Sequence, residues 1–127
     1  MDIVVTLPKG NLDHLNEKIL AAEEERLVWW DMKREPNQFS SEDKVFIVCA
    51  GKLHGYFTVD YTIHNYDYTA AYVAPKISIF RQEYHRIPID DKIEFRIFFD
   101  EWFPVKPIEM RGFQGFRYRK FEWEEKA

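Results

Sequence analysis

The chain has 127 residues, of which 46% are hydrophobic and 17% aromatic, and its formal net charge is −4 at pH 7. This length fits one domain spanning residues 1–127, with room for a single hydrophobic core. The acidic balance argues against a protein that coats nucleic acid through bulk electrostatics, but it leaves room for a local basic patch.

The single cysteine, Cys49, excludes an intramolecular disulfide. It lies among apolar neighbours in a predicted strand, so we expect a buried, unreactive thiol and not a nucleophile. No apolar run is long enough to cross a bilayer, and no N-terminal apolar segment indicates secretion. We therefore expect a cytoplasmic protein without membrane association.

The first third of the chain predicts a strand at Ile3–Thr6, ended by Pro8 and Gly10, and then a helix over Asn11–Arg26. The helix follows from apolar residues at helical spacing, which are Leu12, Leu15, Ile19, Ala22 and Leu27. The next segment, RLVWWDMK, is rich in strand formers. If it is extended, its two tryptophans point to opposite faces, one into the core and one into a cleft near the helix.

The middle and end of the chain predict further strands. A hairpin over residues 44–64 turns at Gly51, residues 65–75 form a loop or short helix, and strands occupy residues 76–81 and 92–99. Pro104 and Pro107 are expected to interrupt the chain before a closing strand in MRGFQGFRYRKF.

These elements predict an α+β fold, in which a curved, mostly antiparallel sheet forms a small barrel, closed or nearly closed, beside an N-terminal helix. Alternation in two strands predicts a set of buried core residues, which are Val45, Ile47, Ile93, Phe95 and Ile97.

Motifs of common enzymes and metal sites are missing from the sequence. The histidines, His14, His54, His64 and His85, are spaced too irregularly for a zinc signature. There is no phosphate loop, nucleophile elbow or dinucleotide fingerprint. We therefore expect no metal, no cofactor and no catalytic residues.

The segment between Pro104 and Phe121 is basic within an acidic protein. Its cations are Lys106, Arg111, Arg117, Arg119 and Lys120, against the single acidic residue Glu109. Arginine forks onto phosphate and aromatic rings stack on bases, so the segment suits the lip of a nucleotide cleft. The same pattern has an alternative explanation. In it the segment is a closing strand whose cations face water and whose rings lie in the core, namely Phe113, Phe116 and Tyr118.

Three stretches together resemble the PUA-like superfamily, in particular its ASCH and EVE branches: the WW strand, the DKVFIVCAGKLHGYFTV hairpin and the GFQGFRYR close. Gly51, Gly55 and Tyr56 match a G-x-h-x-G-Y hairpin of that group. The resemblance implies a small pseudo-barrel with a cleft that binds RNA, DNA or a nucleotide. Small ASCH hydrolases of acylated cytidine carry a G-x-K-T-x-T-x-R stretch where this chain reads EEERLVWWDMK, so that activity does not carry over.

EVE and YTH domains cage a modified base with tryptophans, which the resemblance assigns to Trp29 or Trp30 in this chain. We favour Trp30 as the cleft residue. The predicted nucleic-acid-binding residues are Trp29, Trp30, Lys52, Arg111, Arg117 and Arg119.

Three functions compete. The first is a reader of RNA or of a modified, flipped base. The second is a small hydrolase of a modified nucleoside, with Lys33 or Lys52 as base beside Glu35 or Asp60. The third is a protein-interaction module that uses sheet edges and surface rings, with a homodimer as one form.

Overall fold

The computed structural model describes residues 1–8, 12–64 and 92–126. It contains, in chain order, β1 (Ile3–Thr6), α1 (Leu12–Glu23), β2 (Trp29–Met32), β3 (Lys44–Cys49), β4 (Lys52–His64), β5 (Phe95–Glu109) and β6 (Phe116–Tyr118). The predicted first strand, helix, hairpin and closing strand are confirmed. The predictions for residues 65–75 and 76–81 lie outside the described residues.

The six described strands form one sheet in the order β2-β5-β4-β3-β1-β6. The β1–β3 pair is parallel, and the other four neighbouring pairs are antiparallel. The sheet curls into a half-barrel with β2 and β6 at its two edges. The predicted α+β class with a curved, mostly antiparallel sheet is confirmed, but over the described residues the barrel is half open and not closed or nearly closed.

The hairpin between β3 and β4 turns on two residues. Ala50 and Gly51 both have positive φ, at 52° and 77°, which is the backbone geometry of a type I′ turn. A type I′ turn follows the right-handed twist of the flanking strands, and its second residue is most often glycine. Gly51 was therefore correctly identified as the turn residue.

Strand β5 runs through Pro104 and Pro107, so the prediction that these prolines interrupt the chain is wrong. The register of β4 against β5 shifts between Leu53 and Gly55, opposite Pro104. On the far side of β5, Lys106 N donates to Glu124 O at 2.9 Å. Irregular pairing of this kind tolerates residues that lack an N–H, so the strand can continue past both prolines.

The two faces of the sheet carry separate apolar clusters. On the helix side, alternate residues of β1, β3 and β5 pack with α1, and these include Ile3, Val45, Ile47, Phe95, Ile97 and Leu15. On the opposite side, Phe46, Tyr56 and Val105 pack with the C-terminal segment, including Phe121 and Trp123. The sheet is thus covered on both faces.

Four of the five predicted core residues are buried, but Ile93 is half-buried and precedes β5. The Cys49 thiol is buried, and burial raises its pKa, as expected for an unreactive cysteine. No helix in the described parts of the chain has the length and apolar character needed to cross a membrane.

The beginning and end of the described chain meet at what we call the terminal clasp, formed by Asp2, Lys44, Arg119 and Phe121. Arg119 Nε donates to Asp2 Oδ2 at 2.9 Å, and Arg119 Nη1 donates to the Phe121 carbonyl oxygen at 2.6 Å. Asp2 Oδ1 accepts from Lys44 N at 2.9 Å. The clasp fixes β6 against β1 and holds the C-terminal segment over the second face of the sheet.

Candidate functional site

A cleft of about 1120 Å³ lies between the two edges of the half-barrel, and we call it the edge cleft. One wall comes from β2 and the residues after it, and the other comes from the loop that enters β6. The ends of β1 and the β3–β4 turn complete it. The described lining residues are Thr6, Leu7, Pro8, Trp30, Asp31, Met32, Lys33, Arg34, Ala50, Gly51, Gly112, Phe113, Gln114, Gly115 and Phe116.

Both walls of the edge cleft include consecutive residues, 30–34 on one side and 112–116 on the other. Side chains alternate between faces along a strand, so a cavity that touches successive strand residues also touches their backbone. Among the described strands, β2 is paired only with β5. Its free edge can therefore offer backbone N–H and C=O groups to a molecule in the cleft.

Aromatic rings stand on both walls. Trp30 packs against the helix-side core and is half-buried, so part of its indole remains accessible. Phe113 and Phe116, which the closing-strand explanation places in the core, are also half-buried and line the cleft. The core assignment is incomplete because each phenylalanine packs on an apolar cluster with one side only.

The loop wall is held against β1 by a close contact. Phe113 N donates to Thr6 Oγ1 at 3.2 Å. A Cβ added at Gly112 would lie 2.9 Å from Thr6 Cγ2, so a glycine is needed for this approach. Gly115 has a φ of 72°, which lets the loop turn into β6. The two glycines thus fix the shape of this wall.

The charges that line the cleft are biased towards positive. Asp31 is the only carboxylate among the described lining residues, and it is held by Arg96, with Nε–Oδ1 and Nη2–Oδ2 distances of 2.5 and 3.0 Å. Lys33 and Arg34 are exposed, and neither forms an ion pair within residues 1–8, 12–64 and 92–126. This wall is therefore suited to an anion.

Lys18 on α1 supports the indole from the helix side. Its Nζ lies 5.9 Å from the centre of the Trp30 ring and donates to the Trp29 carbonyl oxygen at 3.3 Å. Burial lowers the pKa of the Lys18 ammonium, and the nearby Asp31 carboxylate opposes that shift. Lys18 thus packs behind Trp30 as a partly desolvated cation.

Of the six predicted binding residues, only Trp30 is among those that line the cleft. Trp29 points to the other face of β2, where its ring centre lies 6.3 Å from that of Phe98 and 5.1 Å from the Arg96 guanidinium carbon. The two tryptophans do diverge, as expected, but both are half-buried and neither is a fully buried core residue. Trp102 packs on Phe57 and is not among the lining residues.

The four predicted cations lie outside the lining. Lys52 is exposed beside Glu109 at 3.9 Å, and Arg111 is an exposed neighbour of Gly112. The Arg117 guanidinium carbon lies 4.3 Å from the centre of the Phe113 ring. Arg119 belongs to the terminal clasp, where its ion pair with Asp2 holds it on the second face of the sheet, and its predicted binding role stays a prediction.

Lys33 and Arg34 line the cleft but are not among the nucleic-acid-binding residues predicted from the sequence. They follow the tryptophans directly in WWDMKR, and this adjacency was the available signal. They were passed over because a polar segment between strands is most often a solvated loop.

Among the residues considered for a hydrolase, neither Lys33 nor Lys52 forms an ion pair with Glu35 within the described residues. Lys33 lines the cleft, but Glu35 pairs with His64, with a 2.6 Å contact, and Lys52 pairs with Glu109. Within the described residues, no three His, Cys, Asp or Glu side chains are grouped so as to hold a metal ion.

The GKLHGY motif behind the resemblance has structural explanations in this fold. Gly51 supplies the turn, and a Cβ at Gly55 would collide with the Phe103 carbonyl oxygen and the Trp102 ring. Tyr56 stacks on Phe103 with ring centres 5.2 Å apart. Comparisons with family models, curated proteins and solved structures found no match.

Proposed function

We propose that the edge cleft binds single-stranded nucleic acid. The strand is RNA, or it is DNA that carries a modified or extruded base. A base lies against the accessible part of Trp30, and the backbone phosphates lie at Lys33 and Arg34. The observation that carries the proposal is this pairing of an accessible indole with two exposed cations in a cleft whose one described carboxylate is neutralised by Arg96.

The chemistry suits a planar anion better than other ligands. Stacking of one base on an aromatic side chain contributes about 1–3 kcal/mol. Each cation that contacts a phosphate adds affinity that falls as salt increases, because condensed counterions are released. A local site of this kind is compatible with the net charge of −4, since it depends on two cations and not on the charge of the whole chain.

The free edge of β2 supports selectivity. Val28 and Met32 accept hydrogen bonds from the β5 side, so the alternate residue Asp31 directs its backbone N–H and C=O away from β5. These groups can bond the polar edge of a base that is stacked nearby, as in proteins that read unpaired bases. The resemblance to the PUA-like superfamily favours the same kind of ligand and remains a prediction.

The proposal is tested with labelled single-stranded RNA and DNA of about twelve nucleotides, within the range of single-strand site sizes. Fluorescence anisotropy over a salt series measures affinity and its salt dependence. The variant Lys33→Gln/Arg34→Gln should bind more weakly, and the slope of log K against log salt should fall by about 1.4 if each cation contacts one phosphate.

The matched control is Lys106→Gln/Lys126→Gln, which removes the same charge from exposed positions away from the cleft lining. It should leave the salt slope unchanged. Equal weakening by both double variants would mean that binding follows net charge alone. No binding of either oligonucleotide by the unmodified protein would refute the proposal.

A further inference from the structure

The size of the edge cleft and the rings on both of its walls suggest a ligand larger than one nucleotide. Clefts for drug-sized molecules enclose roughly 300–1,000 Å³. The edge cleft encloses about 1120 Å³. A single nucleotide is drug-sized or smaller, so it would leave much of this space to water.

The rings are divided between the two walls. Trp30 belongs to β2, at one edge of the sheet, whereas Phe113 and Phe116 belong to the loop and strand at the other edge. The Arg117 guanidinium lies against the Phe113 ring, and Lys18 lies against the Trp30 ring. Each wall thus has a half-buried ring with a cation beside it.

From these observations we infer that the edge cleft holds two adjacent nucleotides of one strand, with one base against Trp30 and the next against Phe116. This inference rests on the proposed function, and it replaces the single flipped base with a dinucleotide step. The phosphate between the two nucleosides passes Lys33 and Arg34, the exposed cations of the lining.

The inference predicts that the second base, and not the second phosphate, supplies most of the gain in affinity. Unlabelled competitors of uridylate can separate the two contributions. The nucleoside bisphosphate pUp has two phosphates and one base, whereas pUpU has two phosphates and two bases. A second stacked base should make pUpU compete about tenfold or more better than pUp against a labelled oligonucleotide.

Two variants assign the bases to the walls. Trp30→Leu and Phe116→Leu keep an apolar side chain on the core side while removing the stacking ring. In each variant, pUpU should compete less than about threefold better than pUp. A threefold ratio corresponds to a smaller free energy than the stacking of one base contributes. Trp29→Leu, which alters the other face of the same strand, should leave the advantage intact. Thermal unfolding by circular dichroism verifies that each variant is folded.

The outcomes separate the inference from the function on which it rests. If the labelled oligonucleotide binds and pUp competes as well as pUpU, the two-nucleotide site is wrong while nucleic-acid binding stands. If Phe116→Leu leaves the pUpU advantage unchanged, the second base does not lie on this wall, and the inference is overturned. If the labelled oligonucleotide does not bind at all, the proposed function and the inference both fail.

Discussion

The edge cleft and the terminal clasp both combine cations with aromatic rings, but they use their cations differently. In the clasp, the Arg119 guanidinium is bonded to Asp2 and to the Phe121 carbonyl while it lies 6.0 Å from the centre of the Phe46 ring. In the cleft, Lys33 and Arg34 have no ion-pair partner within the described residues. A cation next to a ring therefore indicates a binding site only after its hydrogen bonds have been traced.

The comparison predicts that changes in the clasp reduce stability and leave the cleft intact. The largest effect is expected next to the clasp, at Phe46, whose ring centre lies 6.0 Å from the Arg119 guanidinium carbon. Phe46 is fully buried and packs its ring against Tyr56, Phe121 and Trp123. Phe46→Ala should lower the free energy of unfolding by about 3–5 kcal/mol, because a buried ring is lost and a cavity remains. Urea unfolding followed by tryptophan fluorescence measures this. A loss below about 1 kcal/mol would mean that the second cluster is not a cooperative part of the core.

The next effect separates two arginines, Arg117 within β6 and Arg119 just after it. Arg119→Gln should lower the free energy of unfolding by about 1–3 kcal/mol, because it leaves the part-buried Asp2 carboxylate without its charged partner. Arg117→Gln should change it by less than about 0.5 kcal/mol, since Arg117 is exposed.

Arg117 and Arg119 are both predicted binding residues, so their binding roles are best tested with two single variants. Exchanging Arg117 and Arg119 together would mix a surface change with the loss of a structural ion pair. The two single variants, compared by urea unfolding, keep these effects apart. Equal stability of both would show that the clasp ion pair does not support the fold.

A smaller effect is expected where the cleft depends on β1. Thr6→Val removes the oxygen that accepts from Phe113 N and should cost about 1 kcal/mol of stability. The loop wall should also loosen, so oligonucleotide affinity should fall more than it does in Thr6→Ser, which retains the hydroxyl. Indistinguishable binding by the valine and serine variants would argue that the loop wall is positioned by other contacts.

The smallest effect concerns Lys18 and depends on pH. Burial lowers the pKa of this ammonium in the folded state, whereas the unfolded chain keeps the ordinary value of 10.5. Unfolding therefore takes up a proton between the two values, so stability rises as the pH increases through the lowered pKa, and the gain is complete above 10.5. Lys18→Met lacks this contribution.

The difference is measured by urea unfolding of both proteins near neutral pH and near the ordinary lysine pKa. The stability of the unmodified protein relative to Lys18→Met should increase with pH. A constant difference between the two proteins would show that Lys18 is solvated in the folded state.

Periodic segments made most of the fold predictable from the sequence. The apolar run VFIVC and the helical spacing from Leu12 onwards are local patterns, and each matches the element that forms. The length of β5 could not be predicted in this way. Pro104 and Pro107 locally indicate an interruption of the strand. The features that let β5 continue are long-range contacts, namely the bulged pairing opposite Pro104 and the C-terminal segment beside Val105.

The site was less predictable than the fold for a related reason. Trp30 was favoured as the cleft residue, and it does line the edge cleft. The composition of GFQGFRYR indicates a basic, aromatic segment but not which way each side chain points. Arg119 turns to Asp2, whereas Phe113 and Phe116 reach the cleft. Lys33 and Arg34 line the cleft only because the sheet curls and brings its two edges to one cavity. A sequence pattern does not show this curvature.

The position of β1 affects how the chain can fold. β1 pairs on one side with β3 and on the other with β6, and the clasp joins Asp2 to Arg119 across 117 positions of sequence. One side of β1 therefore has no partner until residues 116–118 have left the ribosome. Contacts between distant residues slow folding, and unpaired strand edges on incomplete chains favour aggregation. Nascent chains that end before residue 116 should be sensitive to protease and prone to self-association, and acquisition of the last strand should coincide with resistance.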